Sequence, residues 1–207
     1  MGRALSLSLL FLLSASVIKA QETPQYEVFL GPSYSREDLT NIKFINGIGW
    51  HASLDGTANN WLSAVFDFSG YYSSPKVNLA GLSNPLPIDS SNYLYLFGPR
   101  FTYRKWQRLT PFAEGLVGVS NFRFTASSVG LTNAVSSTTF AAAFGGGADY
   151  AVKDWLAIRL IEADYVVTRF REINVDQTTG QVAFNGPRRT QNNARASAGI
   201  VLRFGRR

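Results

Sequence analysis

His51 and Ser53 stand two residues apart in "WHASLDGT", and in an extended chain that spacing puts both side chains on one face. A histidine beside a serine, with a carboxylate in reach, is the arrangement that activates a hydroxyl for attack on an ester. Asp55 continues the same face. His51 is the only histidine and cysteine is absent, which argues against a zinc or haem centre and against any disulfide framework. "FGGGADY" is rich in glycine but does not lead from a strand into a helix, so it is not a phosphate loop. Its glycines are read as room for large neighbours. No cofactor or metal is expected.

A second set of residues carries a different chemistry. Glu27, Asp55, Asp67, Glu114, Asp149, Glu162 and Asp164, with Arg100, Arg104, Arg159, Arg195 and Arg203, recur inside segments that otherwise alternate apolar with small or polar residues. What such charges do depends on what their face meets: water, a core, or a lumen.

The background is poor in charge. Charged residues make up 16% of the 207, against about 25% in ordinary soluble domains, while aromatics make up 14%. The first twenty residues resemble an export signal, with Arg3 ahead of the apolar "ALSLSLLFLLSASVI" and a small residue, Ala20, before Gln21. The expected division is residues 1–20 as signal peptide and 21–207 as one domain. Losing Arg3 and Lys19 takes the formal net charge from +6 to +4 (6 − 2), a mild excess. No basic run interleaved with stacking aromatics points to nucleic acid.

After Gln21 the period is two almost throughout, which predicts strands near 25–35, 46–58, 61–73, 91–104, 110–124, 138–151, 155–170 and 189–205. The connections alternate strictly. "NN", "KWQRL" and "VKD" are tight, whereas "REDLTNIKFI", "SPKVNLAGLSNPLPIDS", "TASSVGLTNAVSS" and "EINVDQTTGQVAFNGP" are long and polar. In an antiparallel meander this puts short turns at one end and long connections at the other, the layout of an eight-stranded up-and-down transmembrane β-barrel.

The charges set the phase. In "SNYLYLFGPRFTYRK", Tyr93, Tyr95, Phe97, Phe101 and Tyr103 oppose Arg100, Thr102 and Arg104. An arginine at a bilayer midplane costs about 2–4 kcal/mol, so the aromatic face is assigned to lipid and the charged face to the lumen. Trp61, Trp106 and Trp155 each sit at one short turn and mark one membrane–water boundary. Tyr34, Tyr71, Tyr72, Phe122, Phe124 and Phe170 are expected to form the opposite belt. One strand breaks phase: with Arg159 inward, strict alternation turns Glu162 and Asp164 to lipid, so a bulge is predicted near Ile161–Ala163.

Lumen charges must pair, because an unpaired buried charge is very costly. The turns place Arg100 opposite Glu114 and Arg159 near Asp149, and closure places Glu27 near Arg203. Eight strands leave an interior just wide enough for side chains, which favours a plug of salt bridges over a polar pathway for small solutes.

With its signal-like start, its alternating strands and its last strand "NARASAGIVLRFG", the chain resembles the small outer-membrane β-barrels of the OmpA-like and opacity type. "FGPRFTYR" and "TPFAEGLVG" also look like this family. The resemblance implies a non-enzymatic integral outer-membrane protein with a structural or surface-interaction role, at most a minor pore, and a monomer. It also implies that the assembly machinery reads a last strand closing on an aromatic. Phe204 fills that position, though Gly205, Arg206 and Arg207 follow it. The alternative keeps His51 and Ser53 as the pair of a hydrolase acting on lipid A. Arg169, Arg171, Arg188 and Arg189 gather where lipopolysaccharide phosphates would lie, a contact or simply a solvated rim.

Overall fold

Extended segments with one apolar face need neighbours for their backbone N–H and C=O groups, and in hydrocarbon no water supplies them, so the sheet must close. A computed structural model describes residues 23–39, 42–74, 76–77, 86–106, 108–128, 131–171, 174–175, 182–183 and 187–206. The expected signal segment lies outside them. Eight antiparallel strands run β1 (Pro24–Leu39), β2 (Ile42–Asn59), β3 (Leu62–Ser73), β4 (Leu86–Thr102), β5 (Leu109–Ser128), β6 (Leu131–Lys153), β7 (Leu156–Arg171) and β8 (Arg188–Arg206). Each pairs with the next, and β8 returns to β1, which closes an up-and-down barrel. Two-residue strands add to the sheet edge at Lys76–Val77 and pair with each other at Asn174–Val175 and Val182–Ala183.

The strands are strongly tilted. From Val28, successive partners Leu54, Phe66, Phe97, Val117, Ala142 and Val167 lead to Asn192, yet Val28 itself pairs with Leu202. The stagger is ten residues (202 − 192). Over eight strands this corresponds to a tilt of roughly 40°.

Alternation sorts the side chains as the period of two demands. Leu30, Ile48, Phe66, Tyr95, Phe97, Phe140, Phe144, Tyr165 and Ile200 are exposed on the outer wall. Their neighbours in sequence are buried inside. Trp61, Trp106 and Trp155 lie at the three short turns, all exposed at one end. The first of these turns is shaped by Asn59, whose side-chain oxygen accepts the backbone N–H groups of Trp61 and Leu62 at 3.1 and 2.9 Å.

Two expectations are corrected. Tyr71, Phe122, Phe124 and Phe170 do not join an outer aromatic belt: they share the inward phase of Ser69, Ser120 and Thr168 and are 2–8% exposed. Of that group, Tyr34 and Tyr72 face outward. The polar stretches 36–45 and 125–137 are largely strand. β5 and β6 pair out to Ser128↔Leu131, because Ser, Thr and Val continue a ladder readily wherever no apolar face is required of them.

The bulge lies one residue earlier than expected. Ala148 faces Ile161 and Asp149 faces Arg159, so Leu160 is the extra residue, and Leu160 and Ile161 both point outward. They form the one adjacent apolar pair between Arg159 and Glu162, and only such a pair tolerates two consecutive lipid-facing positions. Deleting Leu160 should therefore turn Glu162 and Asp164 outward and abolish the compact, heat-modifiable band of folded barrel on an unheated gel, whereas Leu160→Ala should retain it. A compact band from the deletion variant would show that the phase is not set at this bulge.

Candidate functional site

The interior is a stack of charged and apolar layers, and its middle is built from three arginines. Each bridges two carboxylates. Arg100 on β4 donates Nε to Glu114 of β5 and Nη1 to Asp55 of β2, both at 2.7 Å. Arg159 on β7 donates Nε and Nη2 to Asp149 of β6 at 2.8 and 3.2 Å, and Nη1 to Glu162 at 2.7 Å. Arg195 on β8 grips Asp67 of β3 through Nη1 and Nη2 at 2.9 and 2.5 Å and donates Nε to Asp164 of β7 at 2.6 Å. At the turn end the ratio inverts, and one carboxylate, Glu27, faces both Arg203 (3.1 Å) and Arg104 (3.4 Å).

The planar guanidiniums are also stacked on rings. Phe112 lies 4.3 Å from the Arg100 guanidinium carbon and 4.6 Å from that of Arg159, and Phe29 lies 4.3 Å from Arg159. Desolvated contacts of this kind contribute about 2 kcal/mol or more. The glycines of "FGGGADY" make room for this packing. A Cβ at Gly145 would overlap the Asp164 carboxylate and the Ala163 carbonyl, and one at Gly147 would meet the Phe112 ring.

His51 and Ser53 both face the lumen, but they are not bonded to each other. His51 Nε2 lies 2.7 Å from Asp67 and Nδ1 lies 3.1 Å from the hydroxyl of Ser197. The Ser53 hydroxyl has no hydrogen-bond partner. The resulting Asp67–His51–Ser197 line has the outline of a hydrolytic relay. However, His51 and Asp67 are fully buried, and Ser197 is further bonded to Ser33, which reaches Tyr71. All three members are buried in the lumen. His51, Asp67 and Glu162, and likewise Glu114, Glu162 and Asp164, bring donor atoms within 4.8 Å of one another. Their carboxylates are already bonded to Arg195, Arg159 and Arg100, which supply the positive charge that a metal ion would.

Packed against this tier, and extending beyond it, is an apolar cluster of Val65, Tyr71, Leu94, Leu96, Leu116, Ala141, Ala143 and Val166. Next come a polar chain, in which Ser120 bonds Asn92 and Asn92 bonds Glu37 at 2.6 and 2.8 Å, and the packed rings of Phe122, Phe124 and Phe170. Sequence reasoning missed Glu37, Asn92, Phe29 and Phe112. All were within reach of the alternation itself, since each shares parity with a charged residue on its strand.

The remaining candidate positions fall on the barrel's outside. Arg169, Arg171, Arg188 and Arg189 are exposed and contiguous at the far ends of β7 and β8, where Arg188 pairs with Arg171 and Thr190 with Arg169. Phe204 is exposed on the outer face of β8 beside Tyr26.

No family model matches the chain, and no curated protein matches it in sequence. Solved structures do match in fold. Neisserial surface protein A is 14% identical, with 87% of this chain and 97% of that one covered and a TM-score of 0.58. The attachment invasion locus protein of Yersinia pestis is 18% identical, covering 86% and 99% with a TM-score of 0.54. It is also solved with the heparin analogue sucrose octasulfate, where the match is 16% identical, covering 86% and 97% at a TM-score of 0.52. The outer membrane protein OprG of Pseudomonas aeruginosa is 9% identical, covering 91% and 99% with a TM-score of 0.54. The chain has the fold of the small outer-membrane β-barrels.

Removing one partner of a buried ion pair typically costs about 3–5 kcal/mol. Arg100→Met should destabilise the barrel by that order in urea titrations in micelles. Adding Asp55→Asn and Glu114→Gln should recover much of the loss. Equal instability of the single and triple variants would show that Arg100 acts through packing alone.

Proposed function

We propose that this chain is a non-enzymatic integral protein of the bacterial outer membrane, acting in surface interaction or as a structural element, with a lumen that does not conduct. The observation that carries this reading is the pairing of two surfaces: an outer wall of exposed Leu, Ile, Phe and Tyr, and an interior filled by interlocked ion pairs, rings and aliphatic side chains. An outer wall of that composition suits hydrocarbon, and an interior filled in this way supports a lumen without a continuous water path. The fold shared with outer-membrane proteins supports the same location. The expected signal peptide at 1–20 and domain at 21–207 fit export to it.

The twelve charged residues Glu27, Asp55, Asp67, Arg100, Arg104, Glu114, Asp149, Arg159, Glu162, Asp164, Arg195 and Arg203 then serve as an internal tie rather than a transport route. Trp61, Trp106 and Trp155 anchor the periplasmic boundary. On this orientation Arg169, Arg171, Arg188 and Arg189 stand at the outer headgroup level, where guanidiniums bind phosphate or sulfate oxygens through charge-assisted bonds. A fold relative that takes a sulfated sugar analogue supports polyanion binding at such a surface. The outward Phe204 strand supports recognition by the barrel-assembly machinery, and the monomer is the expected state.

Planar-bilayer recording on the refolded protein should give no steady conductance, and a sustained open level would overturn the sealed-lumen reading. Replacing Arg169, Arg171, Arg188 and Arg189 with Gln should weaken binding to lipopolysaccharide vesicles by about tenfold or more, since each charge near an anionic surface contributes about 1 kcal/mol. Unchanged binding would reduce the arginines to a solvated rim. His51→Ala should leave the lipid A mass profile of overexpressing cells unaltered; a changed profile would instead favour the hydrolase.

A further inference from the structure

Arg104 and Arg203 enter the turn end of the lumen from β4 and β8 and share a single acid. Arg203 Nε lies 3.1 Å and Arg104 Nη1 3.4 Å from the same oxygen of Glu27. Two guanidiniums on one carboxylate make this ring locally positive, next to an acid-rich layer whose Asp55 is the cross-strand partner of Glu27. Several of the guanidinium donors are left over. Nε and Nη2 of Arg104 and Nη2 of Arg203 are enclosed by protein and have no hydrogen-bond acceptor, and Arg203 Nε meets only the Glu27 oxygen at poor hydrogen-bond geometry. Both side chains are more than nine-tenths buried, at 8% and 5% exposed.

The neighbouring strands add unmet hydroxyls to the same ring. Thr57 lies two residues beyond Asp55, the cross-strand partner of Glu27. Thr110 lies on the strand beside Arg104, where the Tyr103 N–H bonds the Pro111 carbonyl. Both hydroxyls are enclosed without a partner. Farther in, His51, Asp55, Asp67, Arg159 and Glu162 are fully buried, so the ring is the last layer an ion reaches from this end. Outside it, among the described residues of the short turns, Lys105, Arg108 and Lys153 are exposed alongside Asp154, a net positive field that draws anions inward.

We propose that this ring is a binding site for one oxyanion, a phosphate or phosphoryl group, approaching from the short-turn end. Its several oxygens accept the unmet N–H groups of both arginines, as forked guanidiniums favour, and the two threonine hydroxyls besides. The phosphoryl group has two possible sources, free phosphate and the headgroups of the adjoining leaflet.

The test uses the refolded full-length chain, with its heat-modifiable band checked in every sample. In phosphate-free micelles, inorganic phosphate should produce saturable shifts in the arginine Nε–Hε signals and in the amides of residues 57, 104, 110 and 203. Sodium chloride at matched ionic strength should not. Arg203→Gln should weaken the response about tenfold. Thr57→Val with Thr110→Val, which keeps every charge and so guards against misfolding, should weaken it severalfold. In nanodiscs without added phosphate, the same shifts with phosphatidylglycerol but not with an uncharged detergent environment would assign the headgroup as source. Shifts with inorganic phosphate only would assign the free ion. If both arms give nothing beyond sodium chloride, or if the arginine and threonine variants respond like the parent, the site does not exist, whatever becomes of the sealed-lumen reading.

Discussion

A guanidinium inside an eight-stranded barrel cannot reach bulk water, and this one restriction organises the interior. Stripped of solvent, Arg100, Arg159 and Arg195 must have their charge met by protein. Each does so by bridging two carboxylates: Asp55 and Glu114, Asp149 and Glu162, Asp67 and Asp164. Five fixed donors on a planar fork allow one arginine to serve two acids, which a lysine could not do with the same geometry. The bridges span strands that do not touch along the sheet, β4 with β2 and β8 with β3, and so tie non-adjacent parts of the wall together. The backbone ladder closes the barrel, and the arginines fix its cross-section.

That restriction explains why some of the molecule was legible in the sequence and some was not. Strand phase follows from charge alone, because turning Arg100 or Asp67 outward would set it in lipid. Pairs on adjacent strands follow next, since a short turn counts register. Arg100 opposite Glu114 and Arg159 near Asp149 are of this kind, and closure supplies Glu27 beside Arg203. Bridges across the lumen, such as Arg100 to Asp55 and Arg195 to Asp67, depend on the ten-residue stagger and on side-chain reach. No local pattern encodes either.

The misassigned aromatics show the opposite failure, in which a signal was present and overridden. Phe122, Phe124 and Phe170 sit near strand ends, where aromatics commonly mark a membrane boundary. Their parity with Glu114, Ser120 and Thr168 puts them inside, and parity is the stronger constraint because a one-residue slip inverts every other side chain on the strand. The Leu160–Ile161 bulge is the exception that keeps this rule intact. It inserts a residue where two apolar side chains can both meet lipid, and so brings Glu162 back to Arg159.

The distribution of charge along the axis gives the barrel a polarity that its fold alone does not. In the middle, six carboxylates face three guanidiniums and His51, whereas at the turn end two guanidiniums face one carboxylate. The acid-rich middle is buried, and each of its carboxylates has at least one oxygen held by a guanidinium, whereas Asp55 Oδ1, Glu114 Oε1, Glu162 Oε1 and Asp164 Oδ1 have no hydrogen-bond partner. The base-rich end keeps slight exposure, with Thr23, Thr57, Thr102 and Arg203 each 6–8% accessible. Charge excess that is enclosed must be met by the protein itself. Charge excess at a mouth can be met from outside, and the same guanidinium that locks the middle of the barrel therefore becomes, one layer lower, a group with capacity to spare.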